Sequence, residues 1–541
     1  MTNAAQRGMP YAGYLQIASL FVAIVVSFGL TMCAEAATTY YYDVRDVLGL
    51  TNALKAATSP KVIRLAKGVY DISGCKSEDI VSTYTSGRLT FASGYAVTLA
   101  GAEGTKRGDV ILDSKGAGRR MLFMNKGTLM LTNLTWTGSS GGVLHVGNPS
   151  AKVYFYDCVF SNNTAASAAV MGRYYDKADT KCVNNFYNCL FADNHATTSG
   201  QGAHVFRGGY AYDCVYTNNT SAGMGGAVTS GNYIRCKFYD NSTSTAETSQ
   251  GGGAIGSDYD ANRGFCTDCV FEGNSTTSGT GAHGAAVFGA TALTNCVFRK
   301  NKSAVNDIVI DWGEATDCVF EENECSGAFF WGTGKANRCK FLRNKMGTAL
   351  KHGALSTANC LFASNTCTKS GGIITSGRQV NCTFVGNYCT SGAVSDSIIG
   401  SGCVAINCLF YQNRAHGVTY NDMAMRKTAK DGDCLNPWAT NCIWTAETVY
   451  SESMKTECYA RTKGCKCIPA EQIKILFPGE EGRFYELRGR SPARDGGYDG
   501  DGIPDYVGEL DLAKRPRKMF DAIDIGCYEL QKLPGLVLLV R

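Results

Sequence analysis

The chain has 541 residues, a formal charge of +5, 63 glycines, only 10 prolines, 28 tyrosines and 25 cysteines. Its lysines and arginines are scattered, which argues against a nucleic-acid partner, because such a partner needs a concentrated basic face. Few stretches show helical apolar spacing and many short apolar runs stop at Gly or Asn, an all-β texture, so the length signals either several domains or one long repeat array.

The first element is an export signal. Arg7 precedes an apolar run from Leu15 to Leu30 and a small-residue site, Ala34-Glu35-Ala36, which predicts cleavage after Ala36. The run is nearly long enough to span a bilayer, so an uncleaved anchor is the alternative. Met32 is too bulky for lipid attachment at Cys33. From Asp46 to Ala57 the spacing predicts an amphipathic helix, followed by strands at Val62-Ile63-Arg64-Leu65 and Gly68-Val69-Tyr70. Coils of regular strand begin near Val97-Thr98-Leu99 and Val110-Ile111-Leu112.

A repeat then takes over. Cys, an aromatic two residues later and Asn three after that recur in eleven full copies, from Cys158-Phe160-Asn163 to Cys408-Phe410-Asn413, with a degenerate copy at Cys442. Successive cysteines lie 31, 25, 22, 33, 27, 22, 21, 21, 22, 26 and 34 residues apart. The commonest interval, 21 to 22, is too long for a hairpin and too short for a helix pair with its turn, but suits one coil of a β-solenoid. Longer intervals are the same coil with a loop pushed out. Residues two apart on a strand share a face, so coils stacked about 4.8 Å apart should build a thiol column beside an aromatic column. The Asn suits a corner, where it tolerates unusual backbone angles and bonds its counterpart one coil along. A second element, Gly225-Gly226-Ala227-Val228 and its relatives such as Gly252-Gly253-Ala254-Ile255, supplies a tight turn and a short inward strand. The fold class expected is all-β, a right-handed single-stranded parallel β-helix of pectin-lyase-like type.

Exported proteins normally pair their cysteines, but parallel Cβ atoms in neighbouring coils sit slightly too far apart for a disulfide. The repeat cysteines therefore read as buried thiols. Cys367 and Cys389, seven residues after repeat cysteines of adjacent coils, are the best disulfide candidates. Cys266-x-x-Cys269 resembles a redox or zinc half-site, though Cys269 is already a core residue. Cys458, Cys465 and Cys467 cluster without a nearby His, which weakens a metal reading. Charges alternate coil by coil, as Asp213, Arg235, Asp268; as Asp317, Arg338; and as Glu272, Arg299, Glu321. That pattern predicts exposed cross-coil ion pairs rather than the paired carboxylates of a hydrolase. The six histidines share no motif.

The pairing of Phe-x-x-Asn with Gly-Gly-Ala-Ile/Val resembles the repeats of the chlamydial polymorphic outer-membrane proteins over roughly Leu131 to Trp444. That resemblance implies β-helix passengers displayed at a cell surface, often adhesive. No alternating-strand barrel follows the repeats, so self-translocation is not expected. The helix-then-strand start resembles the N-terminal cap of pectate-lyase-like helices. Ser491-Pro492-Ala493-Arg494-Asp495-Gly496-Gly497 and Asp524-Ile525-Gly526-Cys527-Tyr528-Glu529 resemble the closing region of bacterial secreted β-helix proteins. Between them, Asp499-Gly500-Asp501-Gly502-Ile503-Pro504-Asp505 resembles calcium loops of thrombospondin type 3 repeats. Asp499, Asp501 and Asp505 are the candidate calcium ligands, but Gly497 and Gly508 stand where two ligands belong, so an acidic surface turn is the alternative. The expected organisation is a signal peptide over 1–36, an N-terminal cap of helix plus strand over 37–96, β-helix repeats over 97–450, a C-terminal cap region over 451–530 and a tail over 531–541.

These readings predict an exported, cell-surface or secreted scaffold, adhesive or ligand-binding. They leave its ligand, a glycan or a protein, unnamed and give it no nucleic-acid partner. Contact with a membrane is expected only through the N-terminal signal or an undefined anchor. No catalytic residue emerges, and calcium is the one cofactor suggested. The alternative is a carbohydrate-active enzyme, of polysaccharide lyase or glycoside hydrolase type, using an outer face or loop of the helix.

Overall fold

Strand alternation decides where each side chain points, and the coil that begins at Cys296 shows how the repeat closes. Val297–Arg299 forms a three-residue strand with Phe298 inward and fully buried. Lys300 then takes a left-handed backbone (φ 54°) and swings the chain round a corner into Asn301. Lys302–Ser303 opens the next side and Val309–Thr316 returns. Asp317 (φ 58°) makes the last corner before Cys318. Strands of successive coils pair in parallel, placing Phe298 against Phe320 and Ser303 against Cys325.

The computed structural model describes residues 38–531 apart from 57–59, 76–86, 92–95, 125, 149, 174–182, 199–208, 245–250, 257–263, 278–282, 305–306, 332–333, 348–349, 353–354, 369–371, 391–397, 416–438, 445–461, 469–471, 473–484, 501–502 and 520–521. Among the described residues the strands build a 16-stranded sheet bearing the aromatic column, an 11-stranded sheet after the Asn corners and a 21-stranded sheet ahead of the cysteines. A four-stranded sheet (Gly87–Phe91, Arg120–Met124, Leu144–Val146, Met171–Arg173) lies beside the early coils. All these sheets are parallel, and the chain is a right-handed parallel β-helix, as the spacing predicts. The signal segment and most of the 531–541 tail lie outside the described residues.

Three columns run through the interior. Aromatic rings stack from Phe160 to Phe410 with centroids 4.5 to 5.1 Å apart and nearly parallel planes. Such pairs contribute about 0.5–1.5 kcal/mol each beyond area burial. Beside them the repeat thiols are buried, and loss of water holds Cys158, Cys214 and Cys318 well above the usual thiol range. The third column is amide. From Asn163 to Asn413, each Nδ2 donates to Oδ1 of the next Asn at 2.9–3.0 Å. It also donates to the carbonyl of the preceding coil's aromatic residue, as Asn301 does to Phe271 at 2.9 Å. Buried amides are tolerated only when so satisfied.

Two expectations need correction. The unusual backbone angles belong not to the repeat Asn but to the residue before it, as at Asn162, Asp193, Lys300 and Glu322, and again to the residue before each repeat Cys. Asn instead spends its amide on the ladder. Cys367 and Cys389 are register partners as expected, yet both are buried thiols rather than a disulfide. Cys367 Sγ donates to the Gly347 carbonyl. At the Gly-Gly corners the glycines are obligatory: Gly252 has φ 87°, and a Cβ on Gly253 would lie 2.1 Å from the Ala285 carbonyl.

The N-terminal end opens with a strand the spacing did not predict, Tyr40–Val44, then the helix Val47–Lys55. Asp46 Oδ1 accepts from the Gly49 N–H at 2.7 Å and caps that helix, while the Lys61 ammonium donates to the Ala53 and Leu54 carbonyls at its other end. The strand Lys61–Leu65 then pairs with Tyr40–Val44. The C-terminal segment, expected to close the solenoid end, lies along its side instead. Val507 packs on Ala358, Val380 and Ile406; Leu512, Cys527 and Tyr528 on Leu361, Ala363 and Val385; Leu487, Ala493 and Ile525 on Leu409 and Ile443. Polar bonds pin it. Asn407 donates to the Tyr498 carbonyl at 2.8 Å and accepts from its N–H at 2.7 Å, and Asn359 donates to the Val507 carbonyl at 2.8 Å. At Gly526 (φ 104°) the strap comes so close that a Cβ would lie 2.8 Å from Thr383 Oγ1.

Candidate ligand-binding face

Ahead of the repeat cysteines, the same alternation that buries Phe155, Phe186, Ala211 and Tyr233 turns their neighbours outward. Along the 21-stranded sheet this aligns Tyr156, Tyr187 and Tyr212 in one outer column. Tyr154, Asn185, Tyr210 and Asn232 form the next. Tyr156 and Tyr187 stack at 4.8 Å, Tyr187 and Tyr212 at 5.1 Å, with planes within 5°. Tyr210 stands beside Tyr212 and meets the edge of Phe265. Partial burial raises the Tyr156, Tyr187 and Tyr212 phenols, Tyr156 to about 12, so these three remain protonated donors. Sequence reasoning missed this face because it followed the strand after each cysteine and not the one before it. Aromatics two and four residues ahead of Cys158 and Cys214 were the available signal.

The charge ladders form where alternation predicts, with different partners in detail. Arg235 forks onto Asp213 at 2.7 and 2.8 Å, but Asp268 accepts from Asn295 instead. Arg299 bonds Glu272 at 2.6 Å, while Glu321 goes to Arg343. Arg338 holds Asp317, which also meets Lys514 of the strap.

Of the candidate calcium ligands, Asp499 Oδ2 accepts from Lys518 Nζ at 2.5 Å, and Asp505 opens a short 3-10 turn, Asp505–Val507. Asp501 lies outside the described residues. A cation at Asp499 would have to displace that ammonium. Among the described residues no group of three or more His, Cys, Asp or Glu side chains is poised to hold a metal.

Two acid clusters went unread in the sequence. In the strap, Asp511, Asp524, Glu529 and Arg517 are all buried. Arg517 Nη2 donates to the Asp524 and Gly526 carbonyls, Asp511 accepts from Arg515 and from the Glu529 N–H, and Glu529 accepts from the Asp524 N–H. Burial pushes Glu529 up to about 8. A carboxyl so perturbed is a typical general acid, but at 1% exposure it has no opening to a substrate. In the solenoid, His283 Nδ1 lies 2.8 Å from the buried Asp307 carboxylate. His145 stacks on Phe123, and burial beside Arg120 lowers it to about 4.

Among the described residues, parallel sheets stacked coil on coil over columns of thiol, ring and amide define a β-solenoid as the class of this protein. No family model matches the chain, and no curated protein matches it. Among solved structures it is similar to the A-module of the mannuronan C-5 epimerase AlgE6 of Azotobacter vinelandii, at 11% identity over 67% of this chain and 94% of that one, TM-score 0.27. It is also similar to tailspike protein 3 of bacteriophage CBA120, at 11% identity over 75% of this chain and 63% of that one, TM-score 0.33. A third is the PL6 family polysaccharide lyase Pedsa3628 of Pseudopedobacter saltans, at 10% identity over 79% and 92%, TM-score 0.28. Strand pairing within the chain, rather than these likenesses, defines the fold. No helix among the described residues is long and apolar enough to cross a membrane.

Proposed function

We propose that this chain is an exported cell-surface or secreted β-helix scaffold of the adhesive, ligand-binding kind, as its resemblance to polymorphic outer-membrane protein repeats implies. The observation that carries the reading is the outer face of Tyr154, Tyr156, Tyr187, Tyr210 and Tyr212, held on a backbone braced by its interior amide ladder. Stacking holds these outward rings in place, and rigid presentation of large amphipathic side chains costs little entropy on binding. Among the described residues, Asp213, Glu272 and Asp317 are ion-paired in the ladders and Asp511, Asp524 and Glu529 are enclosed in the strap, an arrangement that suits binding better than turnover. The test is a screen of the purified chain against immobilised glycans and extracellular proteins, run beside incubation with pectin, alginate and polygalacturonate. Saturable binding without release of reducing or unsaturated ends supports the scaffold. Product above a heat-killed control would replace it with a carbohydrate-active enzyme.

A further inference from the structure

Resting on the binding reading, we infer that the tyrosine face takes an extended, uncharged, hydroxyl-rich polymer, a neutral linear polysaccharide lying along the solenoid axis with about one sugar ring per coil. The geometry comes first. Tyr156, Tyr187 and Tyr212 stack ring on ring, 4.8 and 5.1 Å apart, so their faces are used on one another and their edges and hydroxyls are left to form the outer surface of the column. A row of phenols at this spacing repeats with the coil. Linear chains of six-membered rings bridged through single oxygens repeat over a similar distance, so each ring meets the same donor and acceptor as the last. A phenol hydroxyl both donates and accepts, which is what a chain of alcohols and ether oxygens offers in return.

The second column adds planar amides. Asn185 Nδ2 points at the Tyr187 hydroxyl at 3.4 Å, its Oδ1 accepts from the Tyr210 N–H at 3.3 Å, and Asn232 Oδ1 accepts from the Phe265 N–H at 3.3 Å. The amides are thereby oriented before any ligand arrives, and preorganised polar groups lose less on binding.

Charge decides the kind of polymer. The columns from Tyr154 to Asn232 contain no carboxylate and no ammonium. Among the described residues, the charges at the rim already have partners: Asp157 accepts from Asn188 at 2.5 Å, Arg107 donates to the Asn188 carbonyl at 3.1 Å, and Arg235 is forked onto Asp213. Among the described residues, Lys152 stands on the same face at the start of its strand, and Arg64, three coils back, lies in the register of the Tyr156 column. Further along the same sheet the outward positions change character, with Glu314 and Lys335 paired at 3.1 Å. Along the described strands from Tyr154 to Asn232, an acidic polysaccharide would find only Lys152 to balance its carboxylates, whereas a neutral chain gives up no counter-charge.

The experiment uses the full chain and a variant with Tyr156→Phe, Tyr187→Phe and Tyr212→Phe, which keeps the ring stack and removes the hydroxyls. Affinity for neutral β-glucan, xylan and mannan chains is measured by calorimetry beside alginate and polygalacturonate, at low and high salt, with thermal melting as the fold control. Binding of a neutral chain that salt does not weaken, and that falls about tenfold or more in the triple variant at unchanged melting, is the expected result. Equal binding by both proteins, or salt-sensitive preference for the acidic chains, overturns the inference. If the wild type instead captures a protein or an acidic glycan and the triple variant does so equally, the scaffold reading stands while this inference falls. If nothing binds, both fall.

Discussion

Replacing Asn301 by Ala in the middle of the amide ladder tests the interior directly. Asn301 Oδ1 accepts from the Asn274 N–H and Nδ2, both at 3.0 Å, and its own Nδ2 donates to Asn323 Oδ1 and the Phe271 carbonyl, both at 2.9 Å. Alanine removes all four bonds. The Asn301 N–H still reaches Asn323 Oδ1 at 2.9 Å, so the principal losers are the Asn274 N–H, one proton of its amide and the Phe271 carbonyl. Each buried group left unmade costs about 1–3 kcal/mol, so for these three groups the expected loss is about 3–9 kcal/mol. Because a solenoid's stability is carried by neighbouring coils, the loss should concentrate there. Denaturant unfolding gives the total, and amide hydrogen exchange places it on the coils around Phe271 and Phe298. Asn301→Asp should be worse at neutral pH, because a carboxylate is a pure acceptor and a buried charge. A loss under about 1 kcal/mol with unchanged m-value would refute the reasoning.

Tyr216 occupies the aromatic column fully buried, and its hydroxyl has no hydrogen-bond partner among the described residues; Tyr216→Phe should therefore raise stability by about 1 kcal/mol or more, read as a higher denaturation midpoint. Burial raises Glu529 from 4.5 to about 8. Its contribution is full below pH 4.5 and lost as pH rises through 8, so hydrogen exchange in the strap should quicken between pH 5 and 9 and Glu529→Gln should flatten the profile. The Arg235–Asp213 pair is about half exposed on both sides, so Arg235→Ala should change stability by no more than about 1 kcal/mol, and less at high salt. A large loss there would mean the ladders do more than pair charges.

The inner columns were legible because they use one letter at one spacing: Cys, Phe and Asn recur in fixed order, and alternation puts two of them on one face. The corners were less legible. Ahead of the repeat cysteines the left-handed corner is Asn or Asp except at Arg235 and Arg338, whereas the corner before the repeat Asn carries residues as varied as Lys300, Glu322, Arg343, Ser364 and Gln412, which no residue type marks. The docking of the strap had a signal that inward columns hide. Beside the repeat phenylalanines the outward residues change from Lys237 and Arg299 to Leu361, Ala363, Val385 and Leu409, all buried. Read as a column of their own, they mark a covered face. The tyrosine face was legible by the same rule applied ahead of the cysteines. The buried strap acids were harder, because Asp524 and Glu529 are enclosed by tertiary packing that no local pattern foretells.

The distance from repeat Cys to repeat Asn never varies, while the distance from one Cys to the next runs from 21 to 34 residues. All three interior columns are registered by the constant part, so gaining or losing one residue there would unseat thiol, ring and amide together. The remainder of each coil has no such obligation, and the added cost of a longer loop grows only with the logarithm of its length. Length polymorphism in a lineage of such chains should therefore fall on one side of the molecule. The side that carries the ladders would keep its pattern as the other diverges, so the protein can change what it displays without renegotiating how it folds.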